Sequence, residues 1–285
     1  MILISDVLFA VYLLHSSYIS KSIKNYYVYL LVSNILMLIY TATFLIFDYS
    51  LFHVKSILTY SLNPYTLILL TVSAVSYICV NFFRINALTS KNNISAIVTI
   101  LSISSIFTMI IGWIFFNYII TSKLLLGFFL IIISIVLITF DFRNFRIRLS
   151  KELIFALASS LSLGISISID SRNISQFSPI MYTLFVSFVQ FAVLAGILRN
   201  SIYSGVKEIF STLKVHILLN PLFLTLSYLV NLLAFTPTNR STIIALSSLS
   251  TIIAGLLAIV VFKEREKLKE KVIALVLVVI GSILI

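Results

Sequence analysis

The chain has 285 residues, of which 60% are hydrophobic and 10% charged, and its mean hydropathy is +1.15. A soluble domain of this length needs far more surface charge, so a soluble globular fold is excluded. The net charge of +11 would suggest nucleic acid in a soluble chain, but here the basic residues stand mostly in short gaps between apolar runs, and no nucleic-acid partner is expected.

The apolar runs are about twenty residues long, enough to cross a hydrocarbon layer of roughly 30 Å at about 1.5 Å per residue. A transmembrane barrel would show alternating runs of about ten residues, and none is seen. The expected class is an all-α polytopic membrane protein with ten transmembrane helices, at 2–20, 27–47, 63–84, 94–118, 122–140, 152–170, 178–198, 215–236, 241–262 and 270–285. The first run, MILISDVLFAVYLLHSSYIS, lacks a basic leader and a small-residue cleavage site, and reads as a span rather than a removed signal. No connection is long enough for a soluble domain, the longest being 48–62 and 199–214.

Polar groups inside spans are costly and mark either helix contacts or a solute path. In span 1, Tyr12 and His15 lie three apart, on one helical face. Asp6 stands near its start. Span 2 carries Asn34 and Tyr40. Span 3 carries Tyr77, Asn81 and Asn86, with Tyr77 and Asn81 four apart, and Cys79, the single cysteine. Arg84, near the end of span 3, is expected to snorkel to the interface. Asp170 closes span 6 and reads as interfacial. Span 7 carries Gln190, and span 8 carries Tyr228 and Asn231 on one face. No carboxylate falls at the middle of a span. The histidines His15, His53 and His216 are scattered, so no metal site is expected. Enzyme motifs are absent, and neither a catalytic residue nor a cofactor is expected.

Sliding 87–138 onto 234–285 without a gap, an offset of 147, aligns ten identical residues in fifty-two, among them Ala87 with Ala234, Asn92 with Asn239 and Phe115 with Phe262. The order of polar gap, long span, short turn and terminal span also matches. The expectation is two five-span repeats, 1–140 and 152–285, joined by a basic loop at 141–151. A unit of five spans enters the membrane from opposite sides, giving the inverted repeat of many secondary transporters. Alternate gaps hold sixteen Lys and Arg on one side against four on the other. Under the positive-inside rule, the richer side is cytoplasmic and both termini are outside.

The segment VVFKEREKLKEKVIALVLVVIGSILI, together with ten spans in two halves, resembles the EamA-type transporters of the drug/metabolite transporter superfamily. In that family each half closes its fourth span with a Glu-Arg pair, followed by a turn and a span with two spaced small residues. Glu264-Arg265 stand at the pair, with Ala274 and Gly281 at the small positions. The first half departs from the pattern: Asn117-Tyr118 replace Glu-Arg, and Gly127 and Ser134 are the small residues. The proline common in the family's ninth span is absent. The resemblance implies termini in the cytoplasm; the charge count, which uses this chain's own residues, is given the greater weight. It also implies a cavity among the first four spans of each half.

The function expected is secondary transport of a small organic solute, a metabolite, amino acid or amphipathic compound, by alternating access. Its candidate binding residues are Tyr12, His15, Asn34, Tyr77, Asn81, Gln190, Tyr228 and Asn231. Two rival readings stand: a flippase for a lipid-linked substrate, and a non-transporting assembly component whose polar residues make dry contacts. The expected partners are the solute and the lipid bilayer, with a homodimer allowed. The expected location is the plasma membrane. The charged knot Lys263–Lys271 reads as a turn whose acids make local ion pairs at the interface.

Overall fold

The structure, a computed structural model, describes residues 2–23, 25–47, 63–89, 94–119, 121–141, 146–147, 150–174, 177–198, 202–234, 244, 249–264 and 268–284. Among these the chain is helical: α1 Ile2–Ser22, α2 Tyr26–Phe47, α3 Pro64–Ala87, α4 Ile94–Leu101, α5 Ser104–Phe116, α6 Ser122–Thr139, α7 Lys151–Asn173, α8 Pro179–Leu198, α9 Ile202–Leu213, α10 His216–Ala234, α11 Leu249–Val261 and α12 Leu268–Leu284. One small antiparallel pairing, Phe140 with Ile147 and Asp141 with Arg146, closes the connection between α6 and α7.

Among the described residues, seven helices, counting α4 and α5 as one, are long and apolar enough to cross a membrane, and the shorter apolar helices Ser122–Leu137 and Leu249–Val261 accompany them. Large apolar side chains such as Val260, Phe115 and Ile283 point outward, as they do where the surrounding solvent is hydrocarbon. The chain is therefore a membrane-embedded helical protein.

Local chemistry sets the helix limits. Asn63 caps α3 by accepting from Tyr65 N at 3.0 Å, and Pro64 follows at the first helical position, where its missing N–H costs nothing. Ser150 caps α7 in the same way, accepting from Leu153 N at 3.4 Å. α5 ends at Asn117 in the left-handed region, φ 57°, and Lys263 after α11 adopts the same region, φ 53°. The expected span 94–118 is broken between α4 and α5 at Ser102 and Ile103. There the Ser102 and Ser105 hydroxyls bond to carbonyls three residues back, competing with the helical ladder. The expected ninth span, 241–262, is described only at 244 and from 249 onward. α9 lies in what the sequence offered only as a long connection. Its Ile209 and Leu213 are fully buried, and Gly205 lets it close on Val28 of α2, while Lys207 and Glu208 face outward.

α7 is the most serine-rich helix, and its hydroxyls tie it to its neighbours. Ser159 donates to Val80 O in α3 at 3.1 Å, Ser160 to Ile100 O in α4 at 3.0 Å, and Ser168 to Thr108 O in α5 at 2.8 Å. Gly164 lies under Phe107, where a Cβ would stand 2.5 Å from the Phe107 Cβ. Small residues and hydroxyls of this kind replace the hydrophobic effect as the means of helix association in lipid. α1 uses the same device on α10, where Ser5 Oγ donates to Ser227 O at 2.8 Å and Ser227 Oγ to Ser5 O at 3.0 Å. The main core, with Ala10, Leu13, Ile97, Ile100, Ala156, Ala254 and Ala258 fully buried, lies where α1, α4, α7 and α11 meet.

α6 packs along α12. They approach closely at Gly281, where a Cβ would stand 2.7 Å from Gly127 O; Ser134 and Ala274 are also fully buried. In the charged knot, Glu264 departs from the expected pairing at the interface. Glu264 and Lys271 are buried and joined at 2.7 Å. The Glu264 carboxylate also accepts Ile94 N at 2.7 Å and Ser95 Oγ at 2.5 Å, capping the start of α4. Arg265, Glu266 and Lys267 lie outside the described residues.

Candidate functional site

A cavity of about 120 Å³ lies between the two halves of the sequence. That is well above the roughly 10–15 Å³ that a single water needs. α3 and α10 supply much of its wall: Tyr77, Asn81 and Arg84 from one, and Leu224, Tyr228 and Asn231 from the other. These six residues are three pairs at the offset of 147. Ser104 and Thr251, a fourth pair at that offset, line the cavity too. Gln190 of α8, Asp6 of α1 and Asp170 of α7 also line it, with apolar residues that include Phe9, Met37, Val186 and Leu232.

Asp170 is the centre of the densest polar cluster. One carboxylate oxygen accepts Ser73 Oγ at 2.7 Å and Tyr182 OH at 2.6 Å; the other accepts Tyr77 OH at 2.6 Å and Tyr228 OH at 2.8 Å. Four donors from α3, α8 and α10 thus meet on one side chain of α7. Asp170 is 1% exposed, not interfacial as its place in the sequence suggested. The expected span ended at 170, whereas α7 runs to Asn173, which puts the carboxylate almost one turn inside the helix.

Arg84 differs from expectation in the same way. It is 2% exposed and does not reach an interface. Its guanidinium lies over the rings of Phe9, at 5.1 Å, and Tyr12, at 5.7 Å. Nη1 donates to Tyr12 OH at 3.5 Å, and Tyr12 OH donates to Asn81 Oδ1 at 3.4 Å. Asp6, 1% exposed, is likewise buried.

Of the eight candidate binding residues, the structure brings Tyr77, Asn81, Gln190, Tyr228 and Asn231 to the cavity wall. Tyr12 stands behind it, against Asn81 and Arg84. Asn34 turns back on its own helix and donates to Leu30 O at 2.8 Å. His15 is elsewhere: its Nε2 is 2.7 Å from His216 Nδ1, and Tyr18 stacks on the His15 ring and lies tilted against that of His216. Two of the three histidines therefore meet, which their separation in sequence concealed; His53 lies outside the described residues. Below the cavity on α10, Asn220 accepts Tyr29 OH at 2.6 Å and donates to Ser16 Oγ and Tyr12 O, joining α1, α2 and α10. Asn173, which opens the glycosylation motif Asn-Ile-Ser in the sequence, is 1% exposed and buried.

Comparison with known proteins adds fold and little else. No family model matches the chain, and no curated protein matches it in sequence. A solved crystal structure is similar at TM-score 0.61 with 11% identity, covering 99% of this chain and 94% of that one. The likeness extends over nearly the whole chain and shows a shared fold alone.

Proposed function

We propose that the chain is a ten-span secondary transporter of the inverted-repeat kind, moving a small organic solute through the central cavity by alternating access. The observation that carries this reading is that one sequence offset places four pairs of residues, one of each pair from either half, around a single cavity. Transporters with internal repeats bind their solutes at the repeat interface.

The helix packing supports the same symmetry. Exchange α1 with α7, α2 with α8, α3 with α10, α4–α5 with α11, and α6 with α12. The interface of α3 with α7 then becomes that of α10 with α1, α5 with α7 becomes α11 with α1, and α2 with α10 becomes α8 with α3. The contacts of α2 with α8, α4 with α11 and α6 with α12 map onto themselves. The pairing of Gly127 with Gly281 fits an antiparallel exchange, which sets Ser134 opposite Ala274 at the same register.

Burial of Arg84 and Lys271 removes two cations from the richer side and leaves fourteen against four, so the charge count continues to favour termini outside the plasma membrane. The resemblance to EamA-type transporters agrees with the architecture, although the Glu264 that carries it serves as a helix cap.

The test is cysteine accessibility at Asn81 and Asn231 in a Cys79→Ser background, in sealed vesicles of known orientation. A transporter lets a water-soluble thiol reagent reach these positions from either side, in different states. A flippase admits a lipophilic reagent in preference. If neither position reacts from either side with either reagent, the contacts are dry and the transport reading fails.

A further inference from the structure

Most buried polar atoms around the cavity have partners. Asp170 has four donors, and Ser5 and Ser227 satisfy each other. Two charged groups each keep one buried atom without a partner. Arg84 Nε has no hydrogen-bond partner, and neither does Asp6 Oδ2, although the residues are 2% and 1% exposed. Both line the same cavity. They do not pair with each other among the described residues. Phe9 follows Asp6 by one helical turn on α1, and the Arg84 guanidinium lies over its ring at 5.1 Å.

A guanidinium and a carboxyl group that share a cavity, each with a buried atom that meets neither water nor a partner, are costly to keep charged. A solute carrying one negative and one positive group relieves both. An anion alone leaves Asp6 unmet and adds repulsion; a cation alone does the same at Arg84; an uncharged solute relieves neither charge. Asp170 does not compete for the cation, since its oxygens are already taken by hydroxyls.

We infer that the cavity takes a small zwitterion, with its carboxylate on the Arg84 guanidinium, its ammonium on the Asp6 carboxylate, and an apolar side chain against Met37, Val186 and Leu224. This rests on reading the cavity as the solute site. Arg84 and Asp6 are then the residues that select the substrate, while Asn81 and Asn231 shape the space between them.

The test uses the purified full-length protein and a matched set of four compounds: L-leucine, L-leucinamide, N-acetyl-L-leucine and N-acetyl-L-leucinamide. They share one side chain and carry both charges, the positive, the negative, and none. The midpoint of thermal unfolding is expected to rise by several degrees with leucine alone, since a ligand that binds the folded state stabilises it. Phenylalanine and its analogues are expected to behave alike. Arg84→Gln is expected to lose the response to leucine and gain one to leucinamide; Asp6→Asn is expected to lose it and gain one to N-acetyl-leucine. Equal stabilisation by all four compounds, response only to a singly charged or neutral one, or no response to either amino acid overturns the inference. If the variants do not fold, the four compounds on the unaltered protein still decide it. Counterflow in proteoliposomes separates the two readings. Leucine that binds without being exchanged sinks transport and spares the zwitterion. Exchange of an uncharged solute without any leucine response does the reverse.

Discussion

Replacing Asp170 by alanine tests whether one carboxylate holds four helices together. The change strips the acceptor from four hydroxyls, those of Ser73, Tyr77, Tyr182 and Tyr228. They are not equally placed. Tyr77 and Tyr228 line the cavity and can turn toward water there, whereas Ser73 and Tyr182 are fully buried. Two stranded hydroxyls at about 1–3 kcal/mol each give a loss of about 2–6 kcal/mol. Against this, removing the carboxylate also removes the desolvation penalty of a buried charge, so the lower half of that range is expected. At roughly 2–4 °C per kcal/mol, the unfolding midpoint falls by about 4–16 °C. Asp170→Asn keeps one oxygen as acceptor and presents an amide to hydroxyls that can rotate to receive it, so its loss is smaller. Ser73→Ala removes one donor of four, and about 1 kcal/mol is expected. The assay is thermal unfolding of the three purified variants in one detergent. The reasoning is refuted if Asp170→Ala unfolds within about 2 °C of the unaltered protein, or if Asn is worse than Ala.

Further predictions concern packing and orientation. Lys271→Ala leaves Glu264 buried without its cation and is expected to cost about 3–5 kcal/mol, read as a lower denaturant midpoint; a loss under about 1 kcal/mol would show the pair to be solvated. Gly281→Leu places a side chain where a Cβ already stands 2.7 Å from Gly127 O, so α6 and α12 must separate and the unfolding midpoint must drop. Gly281→Ala is expected to act in the same direction and less. A cysteine at Lys267 is expected to stay unlabelled by an impermeant reagent outside intact cells; labelling there would reverse the orientation drawn from the charge count.

The sequence revealed the membrane class and the positions of the helices well, because an apolar run of about twenty residues matches the thickness of a bilayer and is rare in water-soluble chains. Tyr77, Asn81, Tyr228 and Asn231 were visible for a related reason: polar residues in such runs are few, and theirs repeat between spans 3 and 8. Asp6, Arg84 and Asp170 were equally visible as charges and were discounted because they stood near the ends of the expected spans. Helices α3 and α7 run three residues beyond the spans drawn for them, and three residues decide whether a charge meets water or a cavity. The meeting of His15 with His216 had no sequence signal, since it depends on how α1 lies against α10. α9 was hidden because only one face of it is apolar.

Glu264 sits in the turn before the last helix, yet it grips the first residues of α4, which belongs to the other half. The end of α1 closes over the same region, with Lys21 Nζ lying 4.8 Å from the centre of the Phe262 ring. Hydrogen bonds of this length tolerate little separation, so the two halves are pinned together at this end. Alternating access requires each end to open in turn, so in the proposed cycle these contacts must part and re-form whenever the cavity opens here, while the opposite end, near the start of α1 and Asp6, can open with them intact.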